Sequence, residues 1–494
     1  MKGAHVSAAV TAAPQRECGA KRTGIHVAGS WRRPVGDRWF AVDDPATGEH
    51  IASVGDAGPP EARSAIEAAA QAQPSWARTA ARERSQVLRR TYEMLIERRD
   101  ELAELITSEM GKPIGESLAE VTYGAEFLRW FAEEAVRIDG RCAPVPEGTS
   151  SLTVVRRPVG PCYLVTPWNF PLAMVTRKVA PALAAGCTLI LKPADLTPLT
   201  AMAVVDILTA AGAPPGTVNL LTTTQPAAIS DVVMSDSRLR KISFTGSTAV
   251  GRELLAKASE RVLRTSMELG GNAPFIVLEG ADLNLAVECA LAAKFRNAGQ
   301  ACTAANRFLV HESLAAPFAR ELGRRASGLK LGAGSDPSAG MGPLITDRAA
   351  NRAQSLVEDA VSRGARMVAG GRRVGRRFFE ATVLSEVPAQ SRVLREEIFA
   401  PIAPISTFRH HDEAIRLAND TDYGLVAYVI SPTLERAEAA RRDLEVGMVG
   451  INTGLVSNAA APFGGAKQSG LGREGGTEGI DEYLALQYVA TPRS

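Results

Sequence analysis

Beyond Gly160 the chain alternates short apolar runs, at residues 163–165, 189–191, 218–221 and 242–244, with helical segments about a dozen residues long. Strands that are apolar throughout are buried on both faces, and parallel neighbours need a crossover, so this pattern predicts a parallel sheet covered by helices. A second alternation starts at residues 275–278 and runs to about Val449, which predicts a second α/β unit. Upstream, Leu88, Tyr92, Leu95, Leu102 and Leu105 recur at helical spacing within residues 81–106 and predict an amphipathic region facing a core. A stretch containing Pro and Gly at residues 141–148 leads into an alternating segment at 151–157, which reads as a strand leaving the body of the unit. Residues 462–476 are glycine-rich, and residues 483–490 have the composition of a final strand.

Charge and cysteine usage exclude several classes. With 45% hydrophobic and 22% charged residues the chain is globular, and a formal charge of +2 gives no field to attract nucleic acid or anionic lipid. The longest uncharged apolar stretch, residues 179–191, is well short of the ~20 residues that cross a bilayer. Cysteines 18, 142, 162, 187, 289 and 302 show neither C-x-x-C pairs nor zinc-like Cys/His spacing, so no metal site is expected, and all six read as reduced thiols in a cytoplasmic protein. Residues 1–24 are too weakly apolar for a targeting peptide and are expected to be a disordered extension. Arg372, Arg373, Arg376 and Arg377 are expected in a solvated loop.

Four segments carry candidate chemistry. No G-x-G-x-x-G is present, but Gly246 and Ser247 follow the fourth apolar run, where a helix N-terminus would offer N–H groups to a phosphate. Lys192 and Asp195 follow another run, on the side where open parallel sheets bind ligands. Cys302 follows a glycine turn after a helical segment at residues 282–294, and Glu268 precedes Gly270 and Gly271. Taken singly, each has a bland alternative: a turn glycine, a surface Lys–Asp pair, an inert thiol and a solvated turn.

Taken together they have an order. Pro167-Trp168-Asn169-Phe170-Pro171, the Lys192 and Gly246 segments, Glu268, Cys302, Glu397-Ile398-Phe399-Ala400-Pro401 and Pro462-Phe463-Gly464-Gly465 resemble, in sequence and spacing, the aldehyde dehydrogenase superfamily from about His26 to Ala490. The resemblance implies a Rossmann-like parallel-sheet cofactor domain (residues 25–140 and 158–268), a second α/β catalytic domain (269–477) and a small β oligomerisation element (141–157 and 478–494). It implies Cys302 as nucleophile, Asn169 as oxyanion donor beside the Cys302 N–H, and Glu268 as the base that hydrolyses the thioester. Relatives that pass the acyl group to coenzyme A generally lack that glutamate. Trp168, Lys192, Asp195, Gly246, Ser247, Glu397 and Phe399 match cofactor contacts. The family often has Glu where this chain has Asp195; a carboxylate there repels a 2′-phosphate, so NAD is favoured over NADP. Ala400-Pro401 replaces the usual Gly-Pro.

Within the superfamily the segments 176–178, 294–300, 305–307 and 445–452 are most similar to those of succinate-semialdehyde dehydrogenases. There, two arginines and a serine bind the distal carboxylate, and Arg177, Arg296 and Ser457 stand at the matching positions, with Phe463 also at the substrate. The implied substrate is succinic semialdehyde. Glutarate semialdehyde or a neutral aldehyde is the alternative, and a catalytically silent protein of this fold the more distant one. Ala304 replaces the second cysteine of some relatives, so no disulfide switch beside Cys302 is expected. The resemblance further implies a homodimer or homotetramer.

Overall fold

A computed structural model describes residues 24–492, so the extension expected over residues 1–24 lies, except for Gly24, outside the described residues. Five parallel strands form the middle of an eight-stranded sheet, in the order Val218–Leu220, Leu189–Lys192, Cys162–Val165, Lys241–Thr245, Arg264–Glu268. In chain order this is the doubly wound arrangement 3-2-1-4-5, in which a ligand crevice opens where the order reverses, here between Cys162–Val165 and Lys241–Thr245. Four of the five coincide with apolar runs. The fifth, Arg264–Glu268, has a single large apolar residue, Met267, and is held by neighbours instead: Ser266 accepts from the buried Lys241 ammonium and donates to Glu482. On its far side Gly470–Leu471 returns from late in the chain and pairs antiparallel with Glu268 and Met267.

The second alternation forms a seven-stranded sheet, in the order Arg366–Ala369, Thr382–Ser385, Ile402–Phe408, Ala305–His311, Ala273–Val277, Val426–Ile430, Met448–Ile451, parallel except at Arg366–Ala369. Arg141–Pro144, Ser150–Pro158 and Leu484–Pro492 form a separate three-stranded antiparallel sheet, whose Leu486 and Tyr488 are 72% and 61% exposed. The amphipathic region is two helices, Ala81–Glu97 and Arg99–Met110, which meet at Arg98 and bury Leu88, Leu95 and Leu102.

Two packed helices matter for the site. Every residue of Ala173–Ala185 is buried, Arg177 and Lys178 included, and the helix lies against Ile114–Ala135. Glu120 on the latter accepts from the Leu172 and Ala173 N–H groups at 2.9 and 3.3 Å, so a carboxylate satisfies the free donors at the N-terminus of Ala173–Ala185. Glu120 also takes the buried Lys112 ammonium at 2.6 Å.

The basic run at residues 372–377 is solvated as expected at Arg372 and Arg376, which are exposed outside the strands, while Arg373 lies in a short hairpin formed by Arg373–Val374 with Phe378–Phe379. Asp347 holds Arg373 and Arg376 at 3.0 and 2.7 Å, and Glu380 holds Arg372 at 2.7 Å, so the charges are spent within the hairpin's own surroundings. Among the described residues no helix is long and apolar enough to cross a membrane, and Cys142, Cys162, Cys187, Cys289 and Cys302 are free thiols.

Candidate active site

A cavity of about 590 Å³ opens at the switch point of the first sheet and runs between the two sheets. Its walls include Trp168, Asn169, Gly246 and Ser247 from the first sheet's connections, Cys302, Glu397 and Phe399 from the second's, and Arg177, Arg296, Ser457 and Phe463 at one end. Of the residues singled out in the sequence, only Glu268, Lys192 and Asp195 are not in its lining. Glu268 is buried directly behind it, one residue before the lining Leu269. Lys192 is buried at the end of the neighbouring strand, and Asp195 is exposed three residues on.

The cysteine is delivered by a constrained turn. Asp282 accepts from the Leu285 N–H at 2.8 Å and caps the helix Leu283–Phe295. Immediately after it Asn297, Ala298 and Gly299 have φ of 52°, 52° and 72°, a left-handed run that two non-glycine residues adopt only when their surroundings enforce it. Those surroundings are visible: Glu116 accepts from the Asn297 N–H at 2.7 Å, and the Asn297 side-chain amide donates to the Asn169 carbonyl at 3.0 Å. A Cβ on Gly299 would lie 2.4 Å from the Ala400 carbonyl oxygen. Gln300 then bridges Asn297, Pro343 and Ile345 through both ends of its amide. Asn169 is fixed in turn by Lys112, which donates to its carbonyl at 2.8 Å, while its side-chain amide donates to the Gln300 carbonyl at 3.0 Å.

Charge inside the site is arranged against water. Burial pushes the Cys302 thiol up to about 12, opposed by the Arg177 charge, so the sulfur must give up a proton to attack. Burial, reinforced by the Glu474 carboxylate, holds the Glu268 carboxyl well above the usual range, and Lys178 and Arg177 oppose the shift. Burial likewise lifts Glu397 to about 7 although it accepts from the Gly271 N–H at 3.1 Å, and it lowers Lys192 to about 8 against the pull of Asp195. Neither oxygen of Glu268 has a protein hydrogen-bond partner, and the same is true of Asn169 Oδ1, Thr166 Oγ1 and Thr245 Oγ1. Polar atoms left without a protein partner beside a crevice are open to a ligand or to water.

Comparison with known proteins settles the lineage. A family model described as the aldehyde dehydrogenase family matches residues 31–489. The chain belongs to the aldehyde dehydrogenase family. The succinate-semialdehyde dehydrogenase of Paenarthrobacter nicotinovorans is 53% identical over 441 residues, which cover 89% of this chain and 98% of that protein. The NADP(+) succinate-semialdehyde dehydrogenase of Escherichia coli K12 is 44% identical over 463 residues, covering 93% and 96%. A crystal structure of succinate-semialdehyde dehydrogenase from Burkholderia pseudomallei superposes with a TM-score of 0.95 at 45% identity, covering 97% of this chain and all of that one.

For an aldehyde dehydrogenase, which uses NAD(P), the first-sheet edge is suitably built. Ser247 accepts from the Val250 N–H and starts the helix Thr248–Ser259, whose N-terminus faces the crevice beside the unsatisfied Thr166 and Thr245 hydroxyls. Trp168 and Phe399 meet edge to face at 5.6 Å across the cavity. Sequence reasoning missed Lys112, Glu116, Glu120, Tyr123 and Glu474. One signal was available: Arg177 and Lys178 stand in an otherwise apolar helical segment, and buried charges need partners. Lys178 finds Glu474 at 2.5 Å and Ser243 at 2.8 Å.

Proposed function

We propose that this aldehyde dehydrogenase oxidises succinic semialdehyde to succinate, and the observation that carries the reading is that Arg177, Arg296 and Ser457 line the same cavity as Cys302. An aldehyde whose distal carboxylate rests among these three presents its carbonyl to the thiol. Cys302 Sγ bonds to the carbonyl carbon as its proton passes to solvent water, the C=O π bond opens, and the oxygen takes that electron pair as negative charge between the Asn169 amide and the Cys302 N–H. A bound NAD(P) would supply the hydride acceptor that oxidation of this carbon needs. Water then adds to the thioester while Glu268 takes its proton, and the acid leaves as the sulfur is released. Glu397, Phe399 and Trp168 would hold the nicotinamide end, Gly246 and Ser247 the pyrophosphate, and Lys192 and Asp195 the adenine ribose.

Initial rates with succinic semialdehyde, glutaric semialdehyde and butyraldehyde test the substrate assignment. We expect the acidic aldehydes to win, and Arg296→Ala to lose about ten- to hundredfold of that preference, the worth of one hydrogen bond to a charged group. If glutaric semialdehyde wins, the clamp stands with a longer substrate. Equal turnover of butyraldehyde sinks the clamp.

The exposed Asp195 supports NAD over NADP, because two charges of a 2′-phosphate about 5 Å from a carboxylate in water are repelled by roughly tenfold in affinity. Asp195→Ser is therefore expected to shift the ratio of kcat/KM for NADP over NAD upward by about tenfold, and an unchanged ratio removes Asp195 from cofactor choice.

The same reading divides the chain into a cofactor domain around the first sheet, a catalytic domain around the second and an oligomerisation element in the three-stranded sheet. The exposed Leu486 and Tyr488 support self-association of that sheet as a homodimer or homotetramer. Five free thiols support a reducing, cytoplasmic setting.

A further inference from the structure

Resting on the proposed substrate class, we infer that the Tyr123 hydroxyl is a direct ligand of the substrate's distal carboxylate, donating its proton to it while accepting from Arg177. Tyr123 lines the cavity from the helix Ile114–Ala135, its ring set edge to face on Phe127 at 5.1 Å. Arg177 Nη2 lies 2.6 Å from the Tyr123 hydroxyl oxygen. A guanidinium has donors only, so the oxygen must accept this bond and the O–H must point elsewhere. Among the described residues it donates to none.

Arg177 itself is poorly placed to bind the carboxylate alone. It is only 2% exposed, its plane covered by the Phe463 ring at 4.1 Å, and its Nη1 faces the Glu474 carboxylate at 3.6 Å. The hydroxyl carries its charge forward: an O–H whose oxygen accepts from a cation is a stronger donor, and Tyr123 lines the cavity beside Arg177. Aldehydes with an anionic end gain this bond, and neutral aldehydes of equal length do not.

Tyr123→Phe keeps the ring and its Phe127 contact and removes only the hydroxyl. The expected result is a rise of about tenfold in KM for succinic semialdehyde with kcat changed less than twofold, so that the ratio of kcat/KM for succinic semialdehyde over butyraldehyde falls about tenfold. A ratio that stays at the wild-type value, or equal losses on both aldehydes, overturns the proposal. A crystal structure of the Cys302→Ala enzyme with succinic semialdehyde separates a ligand from a mere support for Arg177. Tyr123 Oη within about 3.2 Å of a distal carboxylate oxygen upholds it, and a longer separation overturns it. If the wild type itself shows no acidic preference, it is the substrate assignment that fails, and this inference falls with it.

Discussion

Glu268→Gln is expected to release one equivalent of reduced cofactor per active site in a rapid burst and then to turn over about 10²–10⁴-fold more slowly than wild type. The substitution keeps size and leaves Cys302, Asn169 and the carboxylate clamp intact, so thioester formation survives. On the proposed mechanism it removes the group that takes the proton from the attacking water. Glu268 is buried with both oxygens free of protein partners and its carboxyl is held well above the ordinary range, so as a base it would lose its proton at a pH above that of an ordinary carboxyl. The steady-state rate of the wild type should therefore rise with pH through that ionisation, and the limb should be missing from Glu268→Gln. Stopped-flow absorbance of the reduced nicotinamide gives both results. A variant with no burst would place Glu268 in the first half of the reaction instead, as the base for Cys302.

Asn169→Ala is expected to fail at the other step. Losing one donor to a developing oxyanion lowers the rate about 10²–10³-fold, and here the loss falls on attack by the thiol. The burst itself should slow by that factor. Asn169 is well suited to the role because it is anchored: Lys112 and Asn297 donate to its carbonyl, and the Gln300 carbonyl accepts one hydrogen of its amide, leaving the other free. A burst of normal rate in Asn169→Ala would remove it from oxyanion stabilisation. The two variants together assign the steps: one keeps a fast first turnover and stalls, the other is slow from the start.

Much of this was legible before the structure, for definable reasons. Tyr163, Leu164 and Val165 announce a buried parallel strand because both faces of that strand are covered, and Cys302, Glu268 and Asn169 stand in an order that resembles one family. Arg264–Glu268 was illegible because it is a strand by pairing and not by composition: Lys241 and Glu482 satisfy its serine, and no apolar period exists to be seen. Glu116 and Tyr123 were hidden differently. They sit on a helix whose apolar spacing explains it as core, and their importance lies in what they meet from elsewhere, the Asn297 N–H and the Arg177 guanidinium. Such pairings across 181 and 54 residues leave no local trace in a sequence.

The return of Gly470–Leu471 to the first sheet bears on how ligands come and go. It pairs with Glu268 and Met267, and a Cβ on Gly470 would collide with the Met267 carbonyl oxygen at 1.8 Å, so the seam tolerates neither bulk nor slack. A segment from late in the chain, beyond the last strand of the second sheet, is thus stitched to the strand that ends at Glu268. A bivalve motion that swung the two sheets apart would have to break this pairing, so opening the cavity by that route costs the ladder between Glu268 and Gly470.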